Sequence, residues 1–329
     1  MAKLGIGFIG CGGIHSAHAT HLVDNKEAYV VCAMDVSEDA AKAHCGKYGT
    51  KHWTTDRSEL LARDDVDAVV ICTPTGFHKE AVLDAAAAGK HILCEKPMAM
   101  TVADCEAMDR ACREAGVVLQ IAFVRHFCNE WLKLRDIVQD GMIGRPVVWR
   151  SVSGGSGAPT PWFFDKKIGG GPFIDGAVHS YDFARFIFGE AKNVVTDIRR
   201  LKSGTTAWDT GTVIVNFGSG DQQMLAWSWG LPGFGYKVPA DSAHDVLGPL
   251  GSIMFPGGNQ LRVSLEDGEH MVEFEPDTGS DWFGKQMAHF LHCCRTGEAP
   301  VTGAPEGIEA TRIAEAALSV GDRPAIIEL

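Results

Sequence analysis

The sequence has no uninterrupted apolar stretch long enough to span a bilayer. Only Met1–Ile9 precedes the first glycine cluster, too little for a secretory leader. The expected compartment is therefore the cytoplasm. No two of the ten cysteines stand in Cys-x-x-Cys spacing, and no zinc pattern appears. No metal site is expected. Cys72 and Cys94 sit in apolar runs as small buried hydrophobes, and the thiols are expected to be reduced. Positive charge is also short: 30 Lys and Arg face 42 Asp and Glu, a net charge of −12. Such a chain repels phosphate backbones and anionic membrane surfaces, so neither is an expected partner. Internal repeats and low-complexity tails are absent.

What is present is an ordinary globular composition, 45% apolar and 22% charged, in 329 residues. That length suggests two domains. Through residue 121, short β-branched apolar runs (Leu4–Ile9, Tyr29–Met34, Ala68–Cys72, His91–Cys94, Val117–Ala122) alternate with Ala-rich segments of helical spacing. Those segments are Ile14–Asn25, Glu38–Tyr48, His78–Ala88 and Val102–Ala115. This rhythm predicts βαβ units on a parallel sheet covered by helices on both faces.

Beyond residue 122 the texture changes. Asn129–Asp140 reads as an amphipathic helix and Val147–Val152 as a strand. Residues 153–171 form a long Gly-, Pro- and aromatic-rich loop, and one helix is expected from Pro172 to Phe188. Six short strands between 194 and 274 predict an antiparallel sheet, and two helices, about 281–296 and 305–320, close the chain. The expected fold is α/β plus α+β: a nucleotide-binding domain over 1–121 and a domain with a large, mainly antiparallel open sheet over 122–329.

Gly10-Cys11-Gly12-Gly13-Ile14-His15 directly follows the first strand and opens a helix at Ile14. Gly10 permits the tight turn, Gly12 lets the backbone approach a pyrophosphate, and the helix start offers N–H donors. Asp35 ends the second strand, where a carboxylate binds ribose hydroxyls and repels a 2′-phosphate. The cofactor expected from this pair is NAD. Thr73-Pro74-Thr75 and Glu95-Lys96-Pro97 end two further strands, on the side where open α/β sheets bind ligands.

The chain resembles the Gfo/Idh/MocA family, named for glucose–fructose oxidoreductase, inositol dehydrogenase and a rhizopine-catabolism protein. The likeness rests on Ile9-Gly10-Cys11-Gly12-Gly13, Thr73-Pro74 with His78, Glu95-Lys96-Pro97, and Gly169-Gly170-Gly171-Pro172-Phe173-Ile174-Asp175-Gly176-Ala177-Val178-His179-Ser180-Tyr181-Asp182. The resemblance implies a Rossmann domain, an open-sheet domain, a nicotinamide cofactor, a sugar or polyol substrate, and homodimers or homotetramers packed through the sheets. It also implies that Thr73, Pro74, His78 and Glu95 line the cofactor and that Arg125 touches substrate. The run Val124-Arg125-His126 departs from the commoner Asn-Arg-Arg-Phe.

Pro97 holds Lys96 extended, and a lysine ammonium there can hydrogen-bond the substrate oxygen and stabilise developing alkoxide charge. Asp175, His179 and Asp182, at i, i+4 and i+7, are expected on one helix face. His179, titrating near neutrality, suits the general acid/base, as the resemblance also implies. Asp175 would orient it or bind a hydroxyl, and Trp162 is a further substrate contact. The reaction expected is hydride transfer between nicotinamide and a carbinol. Two other readings fit the cofactor motifs: an NAD-using glycosidase with transient oxidation and no net redox, and a non-catalytic NAD-binding sensor. Lys96, Asp175 and His179 together argue against the sensor. The histidines at 15, 18 and 21 read as a helix turn beside the cofactor, and Trp227 and Trp229 as a buried or oligomeric sheet face.

Overall fold

The computed structural model describes residues 2–231, 243–278 and 281–329. Two compact units emerge, Met1–Phe127 with Gly279–Ile308 and Cys128–Thr278 with Glu309–Leu329.

The first unit alternates β1 (Leu4–Ile9), α1 (His15–Ala19), β2 (Ala28–Met34), α2 (Glu38–Tyr48), β3 (His52–Thr54), α3 (Arg57–Leu61), β4 (Ala68–Ile71), α4 (His78–Ala87), β5 (His91–Cys94), α5 (Val102–Ala115) and β6 (Leu119–Ile121). All six strands pair in parallel, in the order β3-β2-β1-β4-β5-β6. The order reverses between β1 and β4, the switch point where such sheets form a ligand crevice. Ser37 caps α2 through its Oγ, and Gly49 closes that helix at φ 70°.

The expected helix over Ile14–Asn25 is shorter. After α1 a 3-10 turn covers Thr20–Leu22. Asn25 ends it, donating its amide to the His21 carbonyl and accepting the N–H groups of Glu27 and Ala28. Such local side-chain bonds compete with helix continuation. β3 and α3 leave no clear pattern in the sequence because they are short and largely polar.

The second unit contains α6 (Asn129–Gln139), β7 (Val148–Gly154), α7 (Val178–Phe188), β8 (Ala191–Arg199), β9 (Thr210–Phe217), β10 (Gln222–Ser228), β11 (His244–Gly248), β12 (Gly251–Met254), β13 (Gln260–Leu265) and β14 (Gly268–Glu273). The chain then returns to the first unit with α8 (Asp281–Thr296). α9 (Ala304–Ser319) crosses the division, and β15 (Ala325–Glu328) completes the second sheet. That sheet runs β14-β13-β12-β11-β7-β10-β9-β8-β15. Its neighbours are antiparallel except β7 and β10, which pair in parallel. Burial alternates along β8, β9 and β10, so one face is core.

α8 is the main departure from a single cut at residue 121. Its Met287, Phe290 and Leu291 share one core with Ile6, Phe8, Leu22, Val70 and Leu93. Each such side chain contributes roughly 1.5–3 kcal/mol through burial, so the helix belongs with the parallel sheet. No helix among the described residues is long and apolar enough to cross a membrane. All ten cysteines are free.

His44 of α2 is buried between Phe8, His15 and Tyr48, with ring centroids 5.1, 5.3 and 4.9 Å away. Neither ring nitrogen has a hydrogen-bond partner among the described residues. Burial, then the neighbouring His15, lowers its pKa from 6.5 to about 4. The unfolded chain therefore binds the extra proton first as pH falls. Stability should be full above pH 6.5 and decline towards pH 4, by at most about 1.4 kcal/mol per pH unit from this group. Urea unfolding of wild type and His44→Leu at several pH values checks this. The variant should lose that part of the slope, and an unchanged slope would rule His44 out.

Candidate active site

The expected site residues fall into two groups, one in each unit. In the first, Gly10 follows β1 with φ 93°, and its N–H donates to the Met34 carbonyl at 2.8 Å. A Cβ there would lie 2.8 Å from the backbone of Cys72 and Thr73, so glycine is demanded by the fold itself. At Gly12 and Gly13 a Cβ would meet nothing within 4 Å. No protein contact asks for glycine at these two positions; the open space fits a pyrophosphate approaching the backbone. Asp35, at the end of β2, accepts the Cys11 N–H at 2.7 Å and the Ser37 N–H at 2.8 Å, one on each carboxylate oxygen. The ribose-binding candidate thus also braces the glycine turn that continues to Ile14.

Thr73 and Pro74 follow β4, and His78 opens α4 completely buried. The His78 ring bridges two strand ends, with Nδ1 2.8 Å from the Pro97 carbonyl and Nε2 2.8 Å from the Thr73 carbonyl. Burial lowers its pKa, against the pull of those two carbonyls and of Glu95. Nothing in this geometry presents the ring to a ligand. The neutral ring has one N–H and donates to one of these carbonyls, packing between the Thr73-Pro74 and Lys96-Pro97 loops.

Glu95 is buried at the end of β5. Its Oε1 meets Nε2 of His18 at 2.7 Å, and its Oε2 accepts the Lys96 N–H at 3.1 Å. Burial resists ionisation, but the His18 hydrogen bond, its charge, the Lys96 charge and the Lys96 N–H hold the pKa below the usual carboxylate value. His18 is itself fully buried, edge-on to Phe283 of α8 at 5.2 Å. The pair ties the helix behind the glycine turn to the strand end carrying Lys96. Lys96 is half-buried, and Arg125 and His126 lie in a 3-10 turn after β6. Local pattern does not reveal that His18, rather than His15 or His21, reaches Glu95, because 77 residues separate the two.

In the second unit, Trp162 lies in a 3-10 turn over Pro161–Phe164. The expected single helix from Pro172 to Phe188 proves to be two pieces. A π turn covers Pro172–Gly176, with Ala177 N–H donating to the Pro172 carbonyl at 2.8 Å, and α7 begins at Val178. Asp175 belongs to the π turn, whereas His179 and Asp182 belong to α7. The i, i+4, i+7 phase is therefore broken after Asp175 by the wider turn. Gly171 enters the turn at φ 81°, where a Cβ would be 2.9 Å from the Trp208 carbonyl oxygen. Asp175 and His179 are half-buried, and Asp182 is buried. No cluster of His, Cys, Asp and Glu suited to a metal occurs among the described residues.

Comparison with known proteins agrees with this architecture. Residues 4–123 match the oxidoreductase family with an NAD-binding Rossmann fold, and residues 131–254 match the GFO/IDH/MocA C-terminal domain. The molecule is therefore an oxidoreductase built on a dinucleotide-binding domain. It belongs to the Gfo/Idh/MocA family. It is 31% identical to myo-inositol 2-dehydrogenase of Thermotoga maritima over 314 residues, 92% of this chain and 91% of the relative. It is 28% identical to scyllo-inositol 2-dehydrogenase (NAD(+)) of Bacillus subtilis, over 89% of this chain and 86% of the relative. Among solved structures, aldose-aldose oxidoreductase from Caulobacter crescentus complexed with glycerol superposes with a TM-score of 0.84 at 25% identity, covering 100% of both chains.

Replacing His18 by Ala would leave the Glu95 carboxylate buried without its partner. Removing one member of a buried pair costs about 3–5 kcal/mol. A calorimetric scan of His18→Ala should show Tm lowered by roughly 10 °C, with a smaller loss for Glu95→Gln. A melting point equal to wild type would mean that the pair carries no such load.

Proposed function

We propose that the chain is an NAD-dependent dehydrogenase that interconverts a hydroxyl and the matching ketone on an inositol, a sugar or a related polyol. The observation that carries this reading is the likeness to inositol 2-dehydrogenases along nine-tenths of the chain. The Gly10–Ile14 turn, Asp35 and the Thr73-Pro74 and Glu95-Lys96 strand ends are the residues proposed to hold the dinucleotide, with His78 bracing the last two. When bound, the dinucleotide supplies the hydride chemistry.

The chain's own groups supply the rest. The Lys96 ammonium donates a hydrogen bond to the reacting oxygen and stabilises negative charge as it develops. The His179 imidazole takes the hydroxyl proton during oxidation and returns it during reduction. Asp175 orients His179 or binds a neighbouring hydroxyl, and Arg125 and Trp162 contact the polyol. Preference for NAD over NADP follows from Asp35, whose carboxylate, anchored by two backbone N–H groups, repels a 2′-phosphate.

The proposed assembly is a homodimer or homotetramer. On the open face of the second sheet, Val195, Ile214 and Met224 lie in register, with the Arg150–Asp245 ion pair alongside. A second copy covering this row would bury it. Ten free thiols suit a reducing cytoplasm.

NADH formation should be measured with purified protein across inositols, aldoses and their keto or lactone partners, with NAD and with NADP. Turnover with NAD on one member is expected; tight NAD binding without NADH release would favour the bound-cofactor glycosidase. Lys96→Ala and His179→Ala should each lower kcat/KM by about a hundredfold or more, and retained turnover in both would overturn these two roles. Asp35→Ser should raise KM for NAD about tenfold and narrow the gap to NADP.

A further inference from the structure

Trp227 of β10 and Trp229 just beyond it form a stack, with ring centroids 5.3 Å apart and planes within 6°. Phe163 also stacks on Trp229, at 5.8 Å and 16°. Neither indole is loose. Trp227 Nε1–H donates to Ser151 Oγ at 3.2 Å, and Trp229 Nε1–H donates to Ser153 Oγ at 2.8 Å. Both serines lie on β7, the parallel neighbour of β10. Phe163 is held in turn by its carbonyl, which accepts the Gly171 N–H at 2.9 Å.

Gly176 sits against the edges of both indoles. A Cβ there would lie 3.0 Å from Cζ3 of Trp227 and 3.0 Å from Cη2 of Trp229. Gly176 is not among the residues with positive φ. Its backbone is one any residue adopts, so it is the tryptophans, not the dihedral angles, that crowd a side chain here: a Cβ would need them or the turn to give by a few tenths of an ångström. Gly176 is also the last residue of the π turn, with Asp175 before it and His179 three residues after.

We infer that the Trp227–Trp229 stack is the seat of this turn, and that contact with Gly176 sets where Asp175 and His179 stand. Gly176, Trp227 and Trp229 are positioning residues for the acid/base group. The inference rests on the reading of Asp175 and His179 as catalytic. Its logic is steric: a methyl group at 176 needs a few tenths of an ångström of room, and because the rings are held by Ser151 and Ser153 the turn takes most of that shift. Displacements of about 1 Å near reacting groups can cost a hundredfold in rate, and a shift of a few tenths correspondingly less.

The test is a double-mutant cycle read in kcat, in the pH profile of kcat/KM and in Tm. Gly176→Ala should lower kcat severalfold, by about three- to tenfold. It should also shift the limb of the pH profile that belongs to the acid/base group by about half a unit or more. KM for the dinucleotide should not change. Trp229→Phe removes Cη2 and Cζ3, one of the two contacts; combined with Gly176→Ala it should recover part of the lost kcat and move the profile back towards the original. Loss in the double variant equal to the product of the single losses would overturn the inference, as would coupling seen in Tm but absent from kcat. If Gly176→Ala does not fold, Trp227→Phe and Trp229→Phe carry the test alone, and unchanged kcat and pH profile in both would overturn it. A His179→Ala control separates the two ideas. An inactive control with an additive cycle means the seat is wrong; an active control means the catalytic reading itself is wrong.

Discussion

A carboxylate buried as deeply as Glu95 keeps its charge only if something compensates it. The compensation comes from His18 on one oxygen and the Lys96 N–H on the other. That requirement organises the first unit. His18 lies on the short helix opened by the glycine turn, so satisfying Glu95 fixes that helix, and with it the turn, to the strand end bearing Lys96. Asp35 repeats the device from the other side by accepting the Cys11 N–H. His78 adds a third link, its ring set between the carbonyls of Thr73 and Pro97 and donating to one of them. Loops at strand ends are ordinarily the mobile part of such a sheet. These three polar links hold them in place while leaving open the space beside Gly12 and Gly13.

The second unit solves a similar problem by shape. Its glycines are not interchangeable spacers. Gly171 supplies a dihedral angle, whereas Gly176 supplies room for two indoles. The π turn between them interrupts what periodicity reads as one helix. Polar latches in one unit and steric seats in the other are two ways of reducing the freedom of a few side chains, which is the structural meaning of preorganisation.

Much of this is legible in the sequence. The alternation of β-branched runs and Ala-rich segments yields the parallel sheet, because local period and burial on both faces leave a direct imprint on composition. The glycine turn, Asp35 and the strand-end tripeptides are readable for the same reason. What escapes is any relationship between distant residues. His18 resembles His15 and His21 until the fold selects one of them. His78 reads as a cofactor contact, but its ring is spent on two carbonyls. β3, β11 and β15 escape as well. The break after Asp175 is invisible because a π turn differs from an α turn by one residue, and the indoles against which it sits belong to a distant strand.

The position of α8 bears on how the protein is made. A nucleotide-binding domain at the start of a chain would ordinarily be finished first as synthesis proceeds. In this protein the core around Ile6, Phe8 and Leu22 is closed by Met287, Phe290 and Leu291. The sheet's strands are made before α8, so that side of its core is closed only once residues 281–296 have followed. A chain truncated before α8 would hold a binding fold that is complete in its motifs and incomplete in its core.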